Sequence, residues 1–249
     1  MNIALLLSGG TGTRMGLDVP KQYVEVAGRT IISYCIERLS LHPGIHAIWI
    51  VADLPWHNPI MEWLEKYDSA KKFKGFSKPG KNRQLSILSG LEDIRQSAQG
   101  SDFILIHDAA RPLISEKLIS DCLEAVTGHD GVMPVLPMKD TVYCSKDGEH
   151  IHSLLNRSRI FAGQAPEVFR LQPYYEANLR LLPKKILEVN GSTEPAVLVG
   201  MDMVMIAGEE NNFKITTRED LKKFCDIIRG TAYSEKEQTD ESNGFAWYQ

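Results

Sequence analysis

The sequence predicts an α/β protein built on a mostly parallel sheet with helices on both faces. Two observations carry that expectation. Short apolar runs alternate along the chain with longer amphipathic stretches, as in repeated strand–helix units. The polar residues that could do chemistry fall just beyond the apolar runs, where open parallel sheets bind ligands. A chain of 249 residues, 43% hydrophobic and 24% charged, can bury such a core without a metal or disulfide staple.

The elements follow in order. "IALLLS" (3–8) reads as a buried strand, and "RTIISYCIERLSLHP" (29–43) as a helix that stops at His42-Pro43. "HAIWIVAD" (46–53) is a second buried strand, and 58–69 and 82–98 are helical by their spacing. "DFILIHD" (102–108) is a strand ending in an acid, 115–129 a helix, and "DGVMPVLP" (130–137) a strand interrupted by proline. "FKITTREDLKKFCDIIRG" (213–230) reads as a short strand and then a helix capped by Thr217, with Asp220 three residues on. One stretch breaks the alternation. Residues 139–157 read as two extended segments around Lys146-Asp147-Gly148, and Asp-Gly is a strong hairpin signal. That hairpin is either an arm that projects toward a second copy or a plain edge hairpin. The expected organisation is one domain over 1–230 carrying this arm, then a polar, flexible tail over 231–249 that ends in "FAWYQ".

Composition excludes several functions. A formal net charge of −4 argues against binding along a nucleic-acid backbone. No apolar run approaches the roughly 20 residues of a membrane span. Cys35, Cys122, Cys144 and Cys225 are widely spaced and form no CxxC pair, so reduced thiols in a cytoplasmic protein are expected.

The densest chemical signal is "LLLSGGTGTRMGLDVPKQY" (5–23). Ser8, Gly9, Gly10, Thr11, Gly12 and Thr13 can form a backbone nest for an anion, and the glycines remove Cβ atoms that would block it. No Lys-Ser/Thr follows the last glycine, and the order GGTGTRMG is not GxGxxG, so neither common nucleotide motif applies. Arg14 and Lys21 either flank a polyphosphate, neutralising charge at phosphorus, or are solvated surface cations. Asp108 is either a site acid or a helix cap, Arg111 a site cation or a structural ion-pair partner, and Asp140-Thr141 a site element or a turn. His107 beside Asp108 lacks a nucleophile context for a catalytic triad. His150 and His152 alternate on the hairpin without the carboxylates or cysteines of a metal site.

"GGTGTRMGLDVPKQY" resembles the signature of the cytidylyltransferases that activate polyol phosphates, the methylerythritol-phosphate and ribitol-phosphate enzymes. The likeness continues in order through "GKNRQLSILSGL" (80–91), "HDAARP" (107–112), "PMKDTV" (137–142), "NRSRIFAGQAPEVF" (156–169) and "NNFKITTREDL" (211–221). It implies a Rossmann-like sheet of the nucleotidyltransferase type and a reaction that joins CTP to a polyol phosphate and releases pyrophosphate. It implies that Ser8, Gly9, Gly10 and Gly12 wrap the nucleotide and that Arg14, Lys21 and Lys214 are catalytic. Gly80 and Ser86 would select cytosine, and Asp108 would lie by the ribose and a Mg2+ ion. Arg111, Thr141 and Arg157 would hold the acceptor, the last two across a homodimer formed through the arm. Catalysis would then be positioning plus electrostatics, because a phosphate monoester with a second pKa of about 6 is already largely dianionic.

The chain departs from that family at three places. Gln164-Ala165-Pro166-Glu167 stands for the usual Gln-Thr-Pro-Gln, Thr193-Glu194-Pro195-Ala196 for a Thr-Asp pattern, and Lys81 for a common acid. The first two fall on the acceptor side. "HDAARP" and "PKQY" favour 2-C-methyl-D-erythritol 4-phosphate as acceptor, within isoprenoid biosynthesis. D-Ribitol 5-phosphate or another sugar phosphate of surface-polymer synthesis is the alternative, and a nucleotide-binding protein without catalysis is the non-enzyme one.

Overall fold

The computed structural model describes residues 1–10, 16 and 19–243, with 231–243 as backbone only. The chain opens with β1 (Asn2–Leu7), a two-stranded ribbon of β2 (Glu25–Val26) and β3 (Arg29–Thr30), and α1 (Ile31–Leu41). Two further units follow: β4 (Ala47–Val51) with α2 (His57–Tyr67), and β5 (Phe73–Ser77) with α3 (Arg83–Ile94). Next come β6 (Phe103–Asp108), α4 (Glu116–Ala125) and β7 (Gly131–Pro137). The arm is β8 (Val142–Cys144) and β9 (Ser153–Leu155). The chain ends with β10 (Phe161–Gly163), β11 (Glu167–Arg170), α5 (Leu171–Leu179), α6 (Glu194–Leu198), β12 (Met203–Ala207) and α7 (Arg218–Asn243).

Eight strands form one sheet in the order β10-β7-β11-β6-β1-β4-β5, with β12 also on β7. β1 lies parallel to both β4 and β6, and β4 to β5, so the expected parallel core is present. Its strands read as continuous apolar runs because both faces are covered. On β1, Ala4 and Leu6 join the layer packed by α1, α2 and α4, through Ile32, Ile60 and Ile119. Ile3 and Leu5 join the opposite layer, packed by α3 and α5 through Ile87, Leu91 and Tyr174. Each fully buried Leu or Ile contributes roughly 1.5–3 kcal/mol, so this doubly covered strand is a main anchor of the fold.

Side-chain caps start α4 and α7, the second of them the Thr217 cap that the sequence suggests. Ser115 Oγ accepts from Leu118 N–H at 2.9 Å to start α4. Thr217 Oγ1 accepts from Asp220 N–H at 3.1 Å while Asp220 Oδ2 accepts from Thr217 N–H at 2.8 Å, a reciprocal pair at the head of α7. The hairpin also forms, with Gly148 at φ +81° and Asp147 Oδ1 accepting from the Glu149 and His150 N–H groups.

Two expectations are corrected. "FKIT" is not a strand. Ile215 N–H donates to Ala110 O, but the segment joins no ladder. The helix expected after the Thr217 cap starts at Arg218 as expected, but its backbone continues past residue 230 to Asn243, into the segment read as a flexible tail. Residues 231–243 contain no Gly or Pro, and three Glu, one Lys and one Gln among them are good helix formers, so no breaker stops the helix. "FAWYQ" (245–249) lies outside the described residues.

Candidate active site

The chain reverses direction across the sheet at β1, with β4 on one side and β6 on the other. Such a switch point leaves a crevice beyond the carboxyl ends of the strands. A cavity of about 500 Å³ occupies it, lined by Gly9 and Gly10 after β1, Gly80 and Ser86 around the start of α3, and Asp108 at the end of β6. That volume lies within the range of small-molecule sites.

The two glycine loops meet closely. A Cβ on Gly9 would come within 2.7 Å of the Pro79 ring, and one on Gly80 within 2.4 Å of Leu85 Cβ. Both positions therefore need glycine. Ser86 Oγ closes the second loop, accepting from Gly80 N–H at 3.0 Å and donating to Asn82 O at 3.0 Å. On the first loop, Ser8 N–H donates to Val51 O, and Ser8 Oγ donates to Tyr23 Oη at 2.9 Å.

Asp108 is the centre of the charge. Arg83 Nη2 lies 3.1 Å from Oδ1, Lys214 Nζ 3.0 Å from Oδ2 and Arg111 Nε 3.6 Å from Oδ2. Burial alone would push this carboxyl up, but Arg83, Lys214 and Arg111 outweigh it and hold it well below the ordinary carboxylate range. Arg83 also reaches Glu167 Oε2 at 3.6 Å, an ion pair beyond hydrogen-bond length. Glu167 is buried, and that burial pushes its pKa up despite Arg83. Among the described residues the cavity wall carries Lys21, Lys81, Arg83 and Lys214 against the single carboxylate of Asp108. A surface of that sign suits a polyanion and offers no general base.

Most of the expected site residues come together. Gly9, Gly10, Lys21, Gly80, Ser86, Asp108 and Lys214 all line the cavity. Gly12 and Arg14 lie outside the described residues. Ser8 does not line the cavity; it is 2% exposed and anchors its loop to Tyr23. Arg111 sits behind Asp108 and donates to Asn212 O at 2.7 Å, so here the ion-pair reading describes its contacts. Asp108 is no helix cap, since Ser115 caps α4. Thr141 and Arg157 flank the exposed arm, away from this chain's cavity, and Arg157 donates to Lys139 O at 2.7 Å. His107 is fully buried, its Nε2–H donating to Arg111 O, and burial lowers its pKa to about 4. No cluster of three metal-type ligands occurs among the described residues.

Arg83 and Gln22 are absent from the sequence-based site. Arg83 sits at the first turn of α3, where a cation opposes the helix dipole. That unfavourable placement, repeated by Lys81 just before the Asn82 cap, is the signal that could have exposed it. Gln22 gave no such signal.

A family model described as 2-C-methyl-D-erythritol 4-phosphate cytidylyltransferase matches residues 2–229. Ribitol-5-phosphate cytidylyltransferases of Streptococcus pneumoniae are 32% identical over 226 residues, covering 89% of this chain and 96% of theirs. Among solved structures, the 4-diphosphocytidyl-2C-methyl-D-erythritol synthase of Anaerococcus prevotii has a TM-score of 0.78 at 24% identity, covering 92% of this chain and 96% of that one. The 2-C-methyl-D-erythritol 4-phosphate cytidylyltransferase of Francisella tularensis has a TM-score of 0.75 at 22% identity, covering 89% and 97%. At these identities the two structures show a shared fold.

Proposed function

The chain belongs to the 2-C-methyl-D-erythritol 4-phosphate cytidylyltransferase family, a family of nucleotidyltransferases, and from that premise we propose that its acceptor is D-ribitol 5-phosphate. The observation that carries the choice is the 32% identity to ribitol-5-phosphate cytidylyltransferases over nearly the full length of both chains. 2-C-Methyl-D-erythritol 4-phosphate is the second reading, favoured by the family model and by "HDAARP" at 107–112.

In either case an oxygen of the acceptor's phosphate attacks the α-phosphorus of CTP. A new P–O bond forms, and the bond to the β-phosphate oxygen breaks to release pyrophosphate. The acceptor phosphate is already largely dianionic near neutral pH, so no side chain need take a proton. The work is to hold two anions together, and Lys21, Arg83 and Lys214 supply the positive wall for it. Arg14 joins them in this reading. Gly80 and Ser86 shape the base end of the cavity.

Mg2+ enters as the partner of the triphosphate. Such an ion would keep several waters and take few protein ligands, which matches a cavity that, among the described residues, offers the carboxylate of Asp108. Because Asp108 is engaged by Arg83, Arg111 and Lys214, it adds at most one oxygen to such an ion. We assign Thr141 and Arg157 to the cavity of a second copy. The exposed Tyr143, Ile151 and Leu154 on the arm support a homodimer there. We place the reaction in the cytoplasm, where four unpaired cysteines stay reduced.

The deciding experiment is pyrophosphate release with Mg2+ and CTP, using D-ribitol 5-phosphate and 2-C-methyl-D-erythritol 4-phosphate in separate reactions. Release with ribitol phosphate alone is the expected result. Release with methylerythritol phosphate alone would move the protein to the second reading.

A further inference from the structure

The carboxamide of Gln22 touches two carbonyls of the glycine loop at once. Its Nε2 donates to Ser8 O at 2.6 Å and to Gly10 O at 2.8 Å. The residue is 3% exposed, yet it borders the cavity beside Lys21. Both N–H bonds of the amide are thereby used on alternate carbonyls of one loop. A carbonyl oxygen is the negative end of its dipole and repels an approaching phosphate. With two of them drawn onto Gln22, the loop meets an anion with that repulsion blunted, as an anion nest requires.

The same three-residue turn, Lys21–Tyr23, is fastened a second time to the Ser8 carbonyl. Tyr23 Oη donates to Ser8 O at 3.1 Å, and its ring stacks on Trp56 at 3.9 Å between centroids. Lys21 is the first residue of this turn. The spacing between the Lys21 backbone and the loop is therefore set by Gln22 and Tyr23 together. Few side chains could replace the amide. Ionised Glu has no proton to give, Asn is one methylene short, and Met has no donor.

We propose that Gln22 is a positioning residue that holds the glycine loop with its carbonyls withdrawn from the bound triphosphate and at a fixed distance from Lys21. The inference rests on the reading that this loop receives CTP. Its test compares full-length wild type with Gln22→Glu, which matches Gln in size, and Gln22→Asn, which keeps the donors but shortens the reach. CTP affinity is measured by titration calorimetry with Mg2+ present, folding by thermal melting, and acceptor KM at saturating CTP with the polyol phosphate that wild type turns over. In each variant that folds, the CTP dissociation constant should rise at least about tenfold while acceptor KM stays within about twofold, because one loop alone is disturbed. Wild-type CTP affinity in a folded variant would overturn the inference, and so would equal losses for CTP and acceptor. Failure of both variants to fold would make Gln22 a stability residue and overturn it too. A wild type that binds no CTP would instead overturn the reading of the site itself.

Discussion

At the scale of single residues, the two buried carboxylates that Arg83 contacts are unequal. Asp108 is held by three cations at 3.0–3.6 Å, whereas Glu167 Oε2 has no hydrogen-bond partner among the described residues and pairs with Arg83 at 3.6 Å. Removing the charge of Asp108 would strand three half-buried cations, a change whose cost approaches the roughly 3–5 kcal/mol of breaking a buried pair. Glu167→Gln removes a charge that burial already disfavours. Urea denaturation should therefore show Asp108→Asn losing several kcal/mol and Glu167→Gln losing under about 1 kcal/mol; equal losses would show that Glu167 is a full member of the pairing. Lys21 sets a different expectation. Its charge matters most where negative charge builds at phosphorus, so Lys21→Ala should lower kcat by about 10³-fold or more. CTP binding by calorimetry should fall far less. Normal turnover in that variant would remove Lys21 from the chemistry.

At the scale of elements, α4 starts on one hydroxyl. Ser115 Oγ accepts from Leu118 N–H and also donates to Glu209 Oε1 at 2.7 Å, tying the helix to the loop after β12. Ser115→Ala should cost about 1 kcal/mol by thermal or urea unfolding, the usual worth of such a cap, with turnover unchanged. What the sequence made legible follows the same local logic. β1, β4 and β6 are unbroken apolar runs, and α1 to α4 carry helical spacing with caps or stops. β10, β11 and β12 were not legible. "EVFR" is four residues long and becomes a strand only because β6 and β7 bracket it, through pairs such as Val168 with Leu105 and with Val132. "FKIT" has strand-like composition but finds no such partner. In the site, the glycine loop, Lys21, Asp108 and Lys214 stood out because each follows an apolar run or sits in a recognisable motif. Arg83 hid inside a helix pattern, and Gln22 acts through contacts that no spacing encodes.

At the scale of the whole molecule, buried titratable groups tie stability to pH. His107 has a folded pKa of about 4 against an ordinary 6.5, because burial excludes the charged ring. Between those values the unfolded chain binds the proton and the folded one does not. The stabilisation is complete above pH 6.5 and drains away as pH falls toward 4, by an amount on the order of 3 kcal/mol. Asp108, held below its ordinary pKa of 3.8, adds a further loss below that value. Calorimetric melting should show Tm holding from pH 8 to about 6.5 and falling from there to 4.5, and His107→Leu should flatten that fall. A slope unchanged by that substitution would place the acid sensitivity elsewhere. The sheet order has one more consequence, in time rather than in space. β6 and β7 are joined only through the antiparallel β11 that lies between them, and Glu167, the first residue of β11, pairs with Ile106 near the site. Strands β1, β4, β5 and β6 can assemble from the first 108 residues, but β11 with Glu167 arrives some sixty residues later and Lys214 about a hundred later. During synthesis at about 5–20 residues per second, the nascent chain therefore carries an exposed β6 edge for several seconds, a window in which a chaperone or another strand can compete for it.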